Sequence, residues 1–170
     1  MRQDEAAFRD FVRAESIGLL RTGWLLTGNW SDAEDLLQTA LAATWPRWAD
    51  LRHPDAPALY VRKVMLHRYL HDRRRRWKGE IPTDQLPVTG GPDPHAGTDL
   101  RHDLARALAQ LPPRQRAAIT LRYFADLSEA QCAQLMGCST GAVKSSAAKG
   151  LRRLRTSPLL AGELIGDDRS

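Results

Sequence analysis

Apolar residues return every three or four positions through most of the chain, a period that predicts helices rather than strands. From Asp4 to Leu26, the residues Phe8, Phe11, Val12, Leu19, Leu20 and Trp24 fall on one face of an amphipathic helix, and Thr27-Gly28-Asn29 ends it. Ser31 opens a second helix, because Ser31 and Glu34 have the spacing of a capping box. Leu37, Leu41, Trp45 and Trp48 continue as an apolar stripe, while Asp35, Gln38 and Ala42 lie on a different face. Pro46 ends or kinks this helix, and Trp48 to Pro57 reads as a loop with a short turn. A third helix, Ala58 to Trp77, interleaves Leu59, Val61, Val64, Met65, Leu66 and Tyr69 with Arg62, Lys63, His67 and Arg68.

The period then stops. Residues 78–98 hold Pro and Gly repeatedly with no helical spacing, so they read as a flexible linker between two domains. Helical spacing resumes at Asp99 with Leu100, Leu104, Leu108 and Leu111. Pro112-Pro113 breaks it, and Arg114 to Phe124 is the next helix, with Ala118, Leu121 and Tyr123 available for packing. Ser128 and Gln131 form a second capping box ahead of a short helix. Leu135 and Met136 pack inward, and Gly137 permits a turn. Ser139 or Thr140 caps a last helix, in which Val143, Leu151 and Leu154 face the core. Residues 157–170 read as a frayed tail with a short apolar patch. The fold expected is all-α: two small helical domains, 1–77 and 99–156, on one tether.

Charge changes this picture at two places. The 170 residues carry a net charge of +5, and the excess is uneven. The last helix holds Lys144, Lys149, Arg152, Arg153 and Arg155 and no acid. Two short helices around a Gly turn, the second one basic, fit a helix-turn-helix that enters the DNA major groove. The same pattern also describes an ordinary helical hairpin. Gly150 inside this helix costs about 1 kcal/mol relative to Ala, so either tight packing or close backbone approach keeps it. The third helix ends in Arg73, Arg74, Arg75, Arg76 and Trp77, which suits phosphate contact and stacking, or a solvated terminus complementing the helix dipole.

Other chemistries find little support. Cys132 and Cys138 are the only cysteines, and they read as packing residues of a reduced, cytoplasmic protein. His67 and His71 lie one helical turn apart with no third ligand, so no metal or cofactor is expected. Asp32, Glu34 and Asp35 fit a helix N-terminus; no nucleophile or phosphate loop accompanies them, so no catalytic residue is assigned and no enzyme is expected. No apolar run approaches membrane-spanning length, so membrane insertion is not expected.

Three stretches in order resemble one family. Ser31 to Trp45 looks like the core-binding helix of extracytoplasmic-function sigma factors of bacterial RNA polymerase. Tyr60 to Trp77 resembles their promoter-melting helix, and Leu111 to Ser145 their promoter-reading helix-turn-helix. The resemblance implies that Asp35 and Gln38 dock on core RNA polymerase. It implies that Arg62, Lys63, His67 and Arg73 to Arg76 contact the minus-ten region of promoter DNA. Thr140, Lys144, Ser145, Lys149 and Arg152 would meet the minus-thirty-five major groove. Most relatives imply an anti-sigma factor as a further partner, clamping the two domains. The chain departs from the family pattern at His67, where Asn is expected, at Ala142 for Thr, and at Ser146 for Arg or Gln.

The rival reading is a stand-alone helix-turn-helix transcriptional regulator. The division of labour makes a prediction. Lys144→Ala with Lys149→Ala should reduce promoter-specific transcription and leave core-polymerase binding intact, whereas Asp35→Ala with Gln38→Ala should do the reverse. Run-off transcription and core pull-down on both double variants check this, and equal loss of both activities in either one contradicts it.

Overall fold

A computed structural model describes residues 1–77 and 99–160, with the side chains of Arg76, Trp77, Asp99 and Leu100 left aside. The linker expected over 78–98 and the end of the tail lie outside the described residues. The described chain is helical: α1 (Arg2–Thr27), α2 (Trp30–Thr44), a 3₁₀ segment (Trp45–Asp50), α3 (Ala56–Trp77), α4 (Asp99–Ala109), α5 (Pro113–Ile119), a π turn (Thr120–Phe124), α6 (Glu129–Met136) and α7 (Thr140–Arg155). None of the described helices is long and apolar enough to cross a membrane.

The first three helices pack against one another. Leu19, Leu26, Leu36, Leu37, Val61, Met65 and Leu66 are all buried between them. Gly23 permits their close approach. A Cβ added there would lie 3.1 Å from Met65 Cε and 3.2 Å from Ala33 Cβ, in the region where α1 meets both neighbours. Gly28 ends α1 in the left-handed conformation, φ 72°, and its N–H donates to the Trp24 carbonyl. That geometry suits Gly because it has no Cβ to clash.

The start of α2 differs from the expected capping box at Ser31 and Glu34. Asn29 is the cap instead, extended at φ −139°, and its side chain accepts from the Asp32 N–H at 3.2 Å. Asn is among the best cap residues and lies just after the Gly28 turn, so the helix begins before Ser31 can take that role. The stripe also breaks where Pro46 enters. Leu37 and Leu41 are buried, but Trp45 is 42% exposed. Trp45 and Trp48 leave the α2 core for the 3₁₀ segment and pack around Phe8 of α1, Trp45 tilted and Trp48 edge-on, at 5.1 Å between ring centroids in both cases. The loop expected from Trp48 is therefore helical to Asp50.

In the second half, α5 to α7 form a compact unit. The helix expected from Arg114 to Phe124 instead begins at Pro113 and is α-helical only to Ile119. It widens into a π turn closed by the Ala125 N–H on the Thr120 carbonyl. The widening turns Tyr123 outward, to 50% exposure, against the packing role expected of it. Of the expected tail, Ser157 and Leu160 are buried and continue the core rather than fray.

The halves are packed together. One buried cluster joins Leu19, Leu26 and Tyr69 to Ala117, Leu121, Cys132 and Met136. A second joins Trp24, Leu25 and Ala33 to Leu108, Ile119, Leu154 and Leu160. Overpacking at the tightest crossing gives a prediction: Gly23→Val should lower unfolding free energy by roughly 1–3 kcal/mol, read from urea denaturation. An unchanged midpoint would show that α1, α2 and α3 can separate freely there.

Candidate nucleic-acid interface

The helix-turn-helix is set by local chemistry that can be followed bond by bond. Ser128 and Gln131 form the expected capping box at the start of α6, with the Gln131 N–H donating to Ser128 Oγ at 3.1 Å and the Ser128 N–H to Gln131 Oε1 at 3.0 Å. Gly137 ends α6 at φ 64°. Ser139, not Thr140, caps α7, accepting from the Ala142 N–H at 3.1 Å. Arg114 donates to the Met136 carbonyl at 3.4 Å, giving a partner to an α6 terminal group. Arg122 donates to the Leu127 carbonyl at 3.2 Å and steadies the lead into α6.

Thr140, Lys144, Ser145, Lys149 and Arg152 are all exposed on α7, while Val143, Ala147, Gly150 and Leu154 on its other side are buried. The open question about Gly150 has a packing answer. A Cβ there would fall 2.4 Å from Ile119 Cδ1, so α7 crosses α5 at contact distance. Ser146 is half-buried and Ala142 exposed. Lys144 Nζ lies 3.4 Å from Glu129 Oε2 on α6, a pairing the sequence pattern did not suggest.

The α3 set is less uniform. Lys63, His67, Arg74 and Arg75 are exposed. Arg73 lies over the Tyr69 ring, 5.6 Å from its centroid, a cation–π arrangement. Arg62 is half-buried, its Nε has no hydrogen-bond partner among the described residues, and burial lowers its pKa against the opposing pull of Glu15. The Arg76 side chain lies outside the described residues. His71 and Asp72 flank this row, with His71 Nδ1 3.6 Å from the Asp72 carboxylate and Arg68 3.3 Å from it. Asp35 and Gln38 are exposed on α2. Asp35 borders a cleft of about 190 Å³ that also involves Asp32, Thr39, Arg68, Tyr69 and Arg73. The structure thus brings α2 and the end of α3 to one cleft and keeps the α7 row on a separate surface.

No group of three or more His, Cys, Asp or Glu side chains among the described residues could hold a metal ion. Cys132 is buried and free, and burial raises its thiol pKa, which favours the protonated form.

Residues 101–154 match the family model described as Sigma-70, region 4. The chain is 36% identical over 151 residues to the RNA polymerase sigma-E factor of Streptomyces coelicolor, covering 87% of this chain and 84% of the relative. It is 31% identical over 155 residues to the ECF RNA polymerase sigma factor SigM of Mycobacterium tuberculosis, covering 89% and 76%. The chain belongs to the extracytoplasmic-function sigma factors. A further sigma-E factor, from Streptomyces antibioticus, is 40% identical over 87% of this sigma factor and 82% of its own length. The fold is shared with the sigma factor RpoE of Bartonella quintana, solved with the anti-sigma factor NepR, at a TM-score of 0.71 and 23% identity over 91% of this chain and 99% of that one. CnrH, solved with the cytosolic domain of CnrY, gives a TM-score of 0.65 at 20% identity over 94% and 90%.

One residue escaped sequence reasoning altogether. Arg116 on α5 is 1% exposed, and its Nε donates to the Leu25 carbonyl at 2.7 Å. An Arg is seldom fully buried, and neighbouring Ala117 and Ala118 gave no sign of it. Gly150 and Ile119 supply a test of the α5–α7 crossing. Gly150→Ala should destabilise the wild-type sigma factor by about 1–2 kcal/mol but be neutral or stabilising in an Ile119→Val background, which lacks the offending methyl. A thermal or urea double-mutant cycle measures the coupling, and additive effects would remove Ile119 as the reason for the glycine.

Proposed function

We propose that this sigma factor engages core RNA polymerase through the exposed polar face of α2, with Asp35 and Gln38 in contact, and reads promoter DNA with α3 and α7. As an extracytoplasmic-function sigma factor it directs promoter-specific transcription initiation. The assignment of roles is our reading. Lys144, Ser145, Lys149 and Arg152, with Thr140 at the helix start, take the upstream element. Lys63, His67, Arg73 and the arginines that follow take the downstream element, with Arg62 joining them once its surroundings loosen.

The observation that carries this reading is the two-sidedness of α7. Every basic side chain proposed to meet DNA on it is exposed, while its apolar positions lock onto α5 and α6. A helix held this firmly by its back can present side chains to base edges without rearranging. The acid-free charge of that helix supplies the salt-dependent, sequence-independent part of binding. Residues 1–77 then form the polymerase-binding and melting domain and 99–156 the upstream reader, with 78–98 as the tether and 157–170 as the tail.

The protein performs no chemistry of its own in this scheme and acts in the cytoplasm beside the polymerase. Relatives of its fold solved with NepR and CnrY support an anti-sigma partner for this chain as well. Pull-down with core enzyme followed by run-off transcription tests the proposal. A stable complex that initiates at specific promoters is the expected result. No core complex, together with tight operator binding by a free dimer, would instead favour a stand-alone regulator.

A further inference from the structure

The cations of α7 do not stand in the same surroundings. Among the described residues, Lys144 alone of them has a carboxylate partner: its Nζ lies 3.4 Å from Glu129 Oε2. No acid stands on α7 itself, so this one is brought in from α6 across the Gly137 turn. Both partners stay open to solvent, with 65% of the Lys144 side chain and 37% of the Glu129 side chain exposed. An exposed ion pair adds little to stability, so folding gains little from it.

The two partners differ in how firmly they are held. Glu129 is the first residue of α6, directly after its cap, and the reciprocal bonds between Ser128 and Gln131 fix the backbone of that turn. The turn at Gly137 and the cap at Ser139 then fix α7 against α6. The carboxylate is therefore a placed charge. Lys144 is the opposite: a compact charge at the end of a flexible four-carbon stem. Left alone beside DNA, such a group settles on a phosphate as a point charge. Its place on α7 makes this matter. Thr140, Gly141, Ala142 and Val143 precede it, so Lys144 is the first long polar side chain of the helix. In a helix-turn-helix the N-terminal part of the second helix meets base edges, while the first helix crosses the backbone.

We infer that Glu129 is a specificity-determining residue of the upstream reader: a positioning residue that holds Lys144 off the phosphates and reserves it for a base edge. This rests on the role proposed above for α7. An ammonium has three donors, so Lys144 can keep the carboxylate and still donate to the O6 and N7 of a guanine, which are neutral acceptors. A phosphate is different. Brought to the same nitrogen, its negative charge would stand beside the Glu129 carboxylate, and the two repel. To neutralise a phosphate the lysine must leave its partner. The pair therefore tolerates the base contact and opposes the backbone contact. On arbitrary DNA the row acts as a set of charges, and each phosphate neutralised adds about 0.9 to the salt slope of the binding constant. Glu129 subtracts Lys144 from that set. At the promoter the held lysine loses less freedom on making its contact.

The test uses the full chain. Glu129→Gln keeps the size of the side chain and removes its charge. Titrated with a random duplex from about 50 to about 200 mM salt, the variant should show a slope steeper by about 0.9, so that over this range its affinity changes about 3.5-fold more than the wild type's. Holoenzyme formed with the variant should lose about the same factor in its preference for a promoter with an intact upstream element over one with that element scrambled, read by competition binding. Lys144→Ala closes a double-variant cycle. It should change the slope little in the wild-type chain and by about 0.9 in the Glu129→Gln chain. Any general effect of Gln on α6 is common to both members of that second comparison and cancels. A Glu129 that only complemented the α6 dipole would lower the urea midpoint on becoming Gln and leave the slope alone. An unchanged slope, a steeper slope that survives Lys144→Ala, or an undiminished preference for the intact element overturns the inference. If the wild-type holoenzyme has no such preference, the proposed role of α7 fails, and the slopes of the free chains then judge the ion pair by themselves.

Discussion

A buried guanidinium joins the two halves of this molecule, and the rest of the arrangement depends on that join. Arg116 reaches from α5 to the carbonyl of Leu25, and around it the apolar faces of α1 and α3 meet those of α4 to α6. Each half has a small core of its own, and the join extends it. Small helical units bury a modest fraction of their surface, so Trp24 and Leu25 gain from Leu108 and Ile119 what they lack within α1 to α3. The hydrogen bond orients this packing. Apolar contact alone would tolerate sliding, whereas a donor aimed at one carbonyl selects a register.

The proposed contact surfaces lie on different halves and face solvent for a simple reason. Each helix has one face committed to packing, and the polar remainder must point away. On α2 the remainder carries Asp35 and Gln38, and on α7 it carries the lysines and Arg152. The capping groups keep these faces in register: Asn29 fixes where α2 starts, and Ser139 fixes where α7 starts. A shift of one residue at either cap would rotate the exposed row by about a quarter turn.

Much of this was legible in the sequence because it depends on neighbours a few residues apart. The apolar period located the helices, Ser128 with Gln131 announced α6, and Gly28 and Gly137 marked the ends of α1 and α6. The α7 row was readable for the same reason, since a basic stretch without acids has one solvent face. What depended on distant partners was not readable. Ser31 looked like a cap until Asn29 proved to sit in the extended conformation. Tyr123 looked like core until the π turn rotated it outward. Arg116 carried no local mark, because its acceptor lies 91 residues away in sequence. The Lys144–Glu129 pair joins two helices whose relative placement the turn decides. Gly150 announced a constraint, and the structure supplied its cause in Ile119.

Helix α5 is only seven residues long, yet it holds both Arg116 and Ile119, three positions apart and so neighbours on its surface. One contacts the first half of the molecule and the other sets how closely α7 can lie. Selection cannot adjust these separately. A substitution that tilts α7 also shifts the piece that carries the arginine, and one that loosens the join alters how α7 lies. A change in the α7 crossing and a change in the join are therefore inherited together, through two side chains on two turns of helix.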